Sequence, residues 1–288
     1  MKWFGLTLSM VLFATAIFAQ QRHLVLWDNE TAPHSNGLSG EEWEQSRGAW
    51  RNTTRTDMWI FEANPERKNG MAIVYFPGGG YYTVGTGFSV GKRFADAGYT
   101  VACVRYRLPN GHREIPLEDA EEALRVMRSM ADEMGFDSSL VGVMGTSAGG
   151  YLAASLSVLS LSKPSFSILV YPVISSEKGI RHDGTIINLL GERDADDPAV
   201  AGQFSLDKRV DESTPPAILI HCDDDKLVPP VNSTLYYNAL KRYGIESSLH
   251  IFPSGGHGWS GRSDFEYYHE WFAAVDNWLR RFADKKRR

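Results

Sequence analysis

The chain has 288 residues, 43% of them hydrophobic and 23% charged, with a formal net charge of −5. That length carries one large domain or two small ones with a substantial buried core, and the acidic balance argues against an extended nucleic-acid surface. The terminal run Lys285-Lys286-Arg287-Arg288 reads as a solvated helix end whose cations complement the helix dipole, so no nucleic-acid partner is expected.

At the N-terminus, Lys2 precedes a nearly uncharged run from Trp3 to Ala19, with Ala14, Ala16 and Ala19 near its end. This is the pattern of a secretory signal peptide over residues 1–19. Cleavage is expected after Ala19, although Ile17 is large for the third position back. The run is short for ~30 Å of hydrocarbon and no second apolar segment follows. No cysteine stands ready for a lipid either, so the expectation is export to the periplasm or beyond, without a stable membrane anchor.

Residues 22–56 carry turn residues and charges with weak periodicity and are expected to wrap the domain edge. From Asp57 onward, short apolar runs predict strands near 58–63, 71–76, 100–106, 140–144, 166–171, 216–221 and 247–252. Longer amphipathic stretches predict helices near 88–97, 117–134, 148–160, 231–243 and 264–283. The alternation argues an α/β fold, a mostly parallel central sheet with helices on both faces. Residues 173–215 break the rhythm with Lys178-Gly179, Asp183-Gly184 and the acidic Asp194-Ala195-Asp196-Asp197. So long a stretch between strands reads as an insertion forming a lid or pocket wall. Without internal repeats or a linker, residues 20–288 read as one domain. Cys103 and Cys222, the only cysteines, fall in separate strand-like segments and read as two buried thiols, with a disulfide left open because spacing in sequence does not give Cα separation.

Gly145-Thr146-Ser147-Ala148-Gly149 stands between the apolar run Leu140–Met144 and the helical Tyr151-Leu152-Ala153-Ala154. A G-x-S-x-G segment in that context is a nucleophile elbow, a sharp strand-to-helix turn that lifts a serine hydroxyl clear of the sheet. Serine is a poor nucleophile at neutral pH, so it needs an imidazole base and a carboxylate to orient that base. Asp225 follows the run Ala217–His221 and begins an Asp-x-x-Val-Pro segment, which separates it from its neighbours Asp223 and Asp224. His257 lies in Ser254-Gly255-Gly256-His257-Gly258-Trp259, after Leu249–Phe252. Both fall in loops after strands, where the active sites of open α/β sheets gather.

Among the other histidines, His221 and His250 lie within apolar strands, as core or supporting residues. His23, His34, His112 and His269 carry no motif, and His182 lies in the insertion, within possible reach of substrate. Phe76-Pro77-Gly78-Gly79-Gly80-Tyr81 ends a strand with a glycine run that exposes backbone N–H groups, and the Ala148 N–H completes an oxyanion hole. The sequence around Gly91-Lys92 lacks the spacing of a phosphate loop. No histidine or cysteine cluster suggests a metal.

Together with Tyr106-Arg107-Leu108-Pro109, Tyr171-Pro172-Val173-Ile174, Asn188-Leu189-Leu190-Gly191 and Thr214-Pro215-Pro216, these motifs resemble the α/β-hydrolase superfamily over about residues 57–283. More narrowly, they are similar to secreted bacterial carbohydrate esterases of the acetylxylan and feruloyl type. Hormone-sensitive-lipase-like esterases share several pieces but carry His where this chain has Pro77. The resemblance implies the α/β-hydrolase fold, with the 173–215 insertion after its sixth strand. Ser147 would be the nucleophile, His257 the base and Asp225 its partner, with Gly79, Gly80 and Ala148 around the oxyanion. It implies no cofactor, and an acylated polysaccharide or oligosaccharide as substrate. Tyr81, Tyr82 and Trp259 flank this site, either to stack on a sugar ring or to pack the loops. Two rival readings share parts of the pattern. One is a serine peptidase of prolyl-oligopeptidase type, which would bring a propeller domain not evident here. The other is a non-catalytic binding protein on the same scaffold.

Overall fold

The computed structural model describes residues 21–44 and 48–287; the N-terminal run read as an export signal lies outside the described residues. In strand β3 (Ala72–Phe76) every side chain is buried. Ala72, Val74 and Phe76 enter one hydrophobic cluster, and Ile73 and Tyr75 enter another. A strand covered on both faces must be apolar at every position, which is why the central strands read as unbroken hydrophobic runs.

Counting in chain order, the main sheet comprises β1 (Gln21–Asp28), β2 (Arg55–Phe61), β3, β4 (Thr100–Arg105), β5 (Val141–Thr146), β6 (Ser167–Val170), β7 (Ala217–Cys222) and β8 (Ser247–Phe252). Their spatial order is β1-β2-β4-β3-β5-β6-β7-β8. β2 runs antiparallel to both β1 and β4, and the remaining pairs are parallel. Helices α2 (Ile115–Ser129), α3 (Ala148–Leu159) and α5 (Val231–Arg242) bury their apolar stripes on the first cluster's face. Helices α1 (Phe88–Asp96) and α6 (Tyr268–Arg287) cover the opposite face with Val90, Phe94, Trp271, Trp278 and Phe282. The sheet is therefore sandwiched as expected.

One expectation needs correction. The first part of the stretch assigned to edge-wrapping loop, Gln21–Asp28, is an edge strand of the sheet. Val25 is 55% exposed while Leu24 and Leu26 pack on the core, so half-covered β1 lacks the continuous apolar run that marks its buried neighbours. A register shift between Val25 and Trp27 further blurs its alternation. The following residues do wrap the domain. They are tied down by the Arg107–Asp119 pair, both side chains fully buried and 2.7 Å apart. Asp119 also accepts from the Trp27 indole at 2.7 Å and the Arg107 amide at 2.6 Å, while Arg107 donates to Asn29 and to the His34 carbonyl.

The insertion leaves the sheet after β6, its sixth strand, and contains α4 (Asp183–Leu190). Asn232 of α5 pins its start, accepting from the amides of Ile174 (3.0 Å) and Ser175 (2.9 Å) and donating to the Ile180 carbonyl. Cys103 and Cys222 are both buried and unpaired. Replacing Asp119 with alanine leaves the Arg107 guanidinium buried without its counter-ion. Urea unfolding should then show a loss of about 3–5 kcal/mol, and a loss below about 1 kcal/mol would mean that water or a neighbour neutralises Arg107.

Candidate active site

Ser147 sits between β5 and α3 with φ 55° and ψ −120°, a conformation that L-residues adopt only when the surroundings enforce it. Its amide donates to the Val170 carbonyl at 3.1 Å. The flanking glycines are required by close approach: a Cβ on Gly149 would lie 2.0 Å from the Phe76 carbonyl oxygen, and one on Gly145 would lie 2.0 Å from the Gly149 oxygen. Strand β3 and the start of α3 thus touch backbone to backbone directly beneath the serine.

Beyond β8, the loop carrying His257 folds back over this turn. His257 Nε2 lies 2.8 Å from Ser147 Oγ, and Nδ1 lies 2.6 Å from Asp225 Oδ2. The carboxylate accepts at Nδ1–H, which leaves Nε2 as the acceptor facing the serine hydroxyl. Asp225 Oδ1 accepts from the amides of Leu227 and Val228, each at 3.0 Å. His221, fully buried in β7, approaches the same acid, with Nε2 2.9 Å from the Val228 carbonyl and 3.3 Å from Asp225 Oδ2. Since a carbonyl only accepts, Nε2 carries the proton. Burial would raise the Asp225 pKa, but hydrogen bonds from His221, His257 and the Val228 amide outweigh it and hold the carboxyl well below the usual carboxylate range.

The Asp-Asp-Asp run divides its labour. Asp225 meets His257, while Asp224 accepts from the amides of Gly256 (2.8 Å) and Gly255 (3.2 Å) and so clamps the histidine loop. Asp223 is exposed. The Asp224 clamp and the His221 contact were not legible in sequence, because each depends on which strand ends are neighbours.

On the other side of the serine, the Gly78 amide is already taken by Thr146 Oγ1 at 3.0 Å. The amides of Gly79, Gly80 and Ala148 have no acceptor among the described residues. Ala148 opens α3, so its N–H also sits at the positive end of a helix. Three unspent donors around one serine can hold an anionic oxygen. The Tyr106 hydroxyl supports the glycine segment by donating to the Pro77 carbonyl at 2.8 Å.

Ser147, His257, Gly79 and Gly80 border a cavity of 460 Å³, whose walls also include Tyr82, Tyr171, His182, Asn188 and Leu227. His182 caps α4, its Nδ1 accepting from the Thr185 amide at 3.1 Å. Burial, aided by nearby His257, lowers its pKa, so the ring is neutral at pH 7 and its Nε2 carries the proton. Tyr82, 53% exposed, is the aromatic on the cavity rim. Two other candidates for sugar stacking do not reach this cavity. Trp259 is fully buried, stacked on Phe265 at 4.4 Å, and Tyr81 is 3% exposed, edge-on to Tyr106 and Tyr151. Local sequence does not separate an aromatic that packs a loop from one that projects from it. Tyr171, which sequence reading did not place in the pocket, packs 4.6 Å from the His257 ring.

Among the described residues no cluster of three or more metal-ligating side chains occurs, and no helix is long and apolar enough to cross a membrane.

The chain belongs to the α/β-hydrolase fold family, whose model matches residues 73–261. It is related to bacterial carbohydrate and acetyl esterases. It is 40% identical over 223 residues to the acetylxylan esterase of Xylanibacter ruminicola, covering 75% of this chain and 46% of that protein. It is 32% identical over 169 residues to endo-1,4-beta-xylanase B of Butyrivibrio fibrisolvens, covering 54% of this chain and 26% of that one. The chain thus spans less than half the length of these two curated relatives. The acetyl ester-xyloside bifunctional hydrolase from Caldicellulosiruptor lactoaceticus superposes with a TM-score of 0.75 at 29% identity, over 92% of this chain and 98% of that one.

Asp225→Asn keeps the shape but removes the charge that selects the His257 tautomer, so kcat for an activated ester should fall by about 10⁴ with little change in KM. Because the Asp225 pKa is lowered, its contribution to stability is present above the unfolded carboxylate value and lost only as pH falls through the depressed folded one. Urea unfolding followed down the acid range should show that loss only well below the usual carboxylate range, and a loss already complete at the ordinary carboxylate value would contradict the Asp225 pairing.

Proposed function

We propose that this chain is an exported serine esterase, a single catalytic domain over residues 20–288. It removes acyl groups, acetyl above all, from plant polysaccharide. The observation that carries the reading is the unbroken Ser147–His257–Asp225 chain beside three unspent backbone donors, opening on a cavity. Acetyl esters of xylan as substrate follow from the relatives, one an acetylxylan esterase and one an acetyl ester-xyloside hydrolase. Export follows from the Lys2–Ala19 pattern.

In the first half-reaction Ser147 Oγ attacks the ester carbonyl carbon while His257 Nε2 takes its proton. The carbonyl oxygen becomes negative and is held by the Gly79, Gly80 and Ala148 amides, worth about 3–4 kcal/mol per well-aimed donor. Asp225 stabilises the resulting imidazolium without itself being protonated. The intermediate then expels the sugar oxygen, which takes the proton from His257 and leaves an acyl-serine. Water, deprotonated by the same imidazole, repeats the sequence and releases the carboxylic acid. His182 Nε2–H supplies a neutral donor for a substrate oxygen.

Acetate should appear from acetylated xylan with the purified protein, and Ser147→Ala should reduce the rate by at least about a thousandfold with folding intact. Intact folding without acetate release would overturn the substrate assignment. An acyl series from acetate to octanoate, with methyl ferulate added, should show kcat/KM highest at acetate. N-terminal sequencing of protein recovered outside the producing cell should begin at Gln20; a mature chain beginning at Met1 would refute export by this signal.

A further inference from the structure

Helix α4 meets the oxyanion segment at both of its ends. Asn188, in the last turn, donates to the Gly80 carbonyl at 2.9 Å, and its own carbonyl accepts from the Gly111 amide at 3.3 Å. His182, which caps the first turn, sets its ring against the same glycine: a Cβ on Gly80 would lie 3.5 Å from His182 Cε1. The Asn188-Leu189-Leu190-Gly191 motif thus has a task, to moor the helix that presents His182 beside the oxyanion donors.

One nitrogen of that ring is committed and the other is not. Nδ1 accepts from the Thr185 amide at 3.1 Å and lies 2.7 Å from the Thr185 hydroxyl, which leaves the proton on Nε2. Nε2–H has no acceptor among the described residues, and it is not one of their unpartnered polar atoms that are closed to solvent. His182 lines the catalytic cavity, so an accessible donor of fixed tautomer borders the space that substrate enters. Being neutral, it suits a hydroxyl oxygen better than a carboxylate, which gains most from a charged partner.

Which half of the ester this donor meets follows from the reaction. The tetrahedral carbon at Ser147 carries the serine oxygen, the oxyanion, the acyl carbon and the alcohol oxygen, and the last must lie beside His257 to receive its proton. His182 packs on Gly80, and after burial the strongest influence on its ionisation is His257. A donor that borders both the oxyanion glycines and the base borders the alcohol half of the ester. The oxyanion already has three amides and the leaving oxygen has His257. In a sugar ester the next oxygen within that half is the hydroxyl on the adjacent ring carbon.

We propose that His182 is a specificity residue that donates from Nε2 to the hydroxyl on the carbon next to the esterified one. The proposal rests on the esterase reading given above and narrows its substrate: an acyl group flanked by a free hydroxyl is favoured over one without that neighbour, because an ester lacking the hydroxyl leaves the imidazole N–H unpaired when it displaces water.

The test uses two acetates that differ only in that group, trans-2-hydroxycyclohexyl acetate and cyclohexyl acetate. For the wild type, kcat/KM should be roughly tenfold to a hundredfold higher on the hydroxylated ester. Two variants lack the donor in different ways. His182→Asn keeps a side chain that caps α4 but withdraws the ring from the cavity, and His182→Phe keeps the ring without its N–H. In both, the ratio between the two esters should fall to about one. The ratio separates recognition from structural damage, since a displaced oxyanion donor slows both acetates alike. A wild type that hydrolyses the two esters equally well would overturn the proposal while leaving the esterase reading intact, as would a wild-type ratio retained in either variant. A wild type inactive on both acetates and on p-nitrophenyl acetate would overturn the esterase reading and this proposal with it.

Discussion

Where β3 ends and α3 begins, the Phe76 carbonyl occupies space that any side chain at residue 149 would need. This contact between bare backbones makes the serine turn and the glycine segment after β3 one rigid piece. The amides on either side of Ser147 come from different elements, yet their separation is set by van der Waals contact, and no loop has to close to bring them together. The histidine and the acid are then delivered to that piece by β7 and β8. Those strands run parallel in the same sheet, so their C-terminal ends emerge on the same edge.

The electrostatic arrangement follows from that geometry. A carboxylate buried beneath an imidazole is costly to desolvate, and the protein offsets the cost locally with two backbone amides and two imidazole N–H groups. His221 thus belongs to the support of the acid, although it lies in the middle of an apolar strand. His257 stands on a glycine-rich loop whose own amides are held by Asp224. Charge is fixed where it must not move, and the moving proton is left to the residue between.

Most of the architecture was legible in sequence because the strands buried on both faces announce themselves. Seven strands and five helices lie within a few residues of their observed ends, and the serine, histidine and acid stand where their motifs put them. What escaped depends on tertiary neighbours. Edge strand β1 hides only one face. Trp259 and Tyr82 both stand beside glycine-rich active-site segments, and only the folded chain decides that one packs inward and the other faces the cavity. The seat of His182 against Gly80 joins the insertion to the segment after β3, a convergence that no local pattern encodes.

The two cysteines lie on β4 and β7, four strand positions apart in the sheet. At ~4.8 Å per strand this is roughly 19 Å, far beyond the reach of a disulfide. No cross-link contributes to this fold, so an oxidant has no native pair to join and a reductant has nothing to cleave. Material made in a reducing cell interior and material exposed to an oxidising exterior arrive at the same covalent structure, held by the packing of the sheet and its helices.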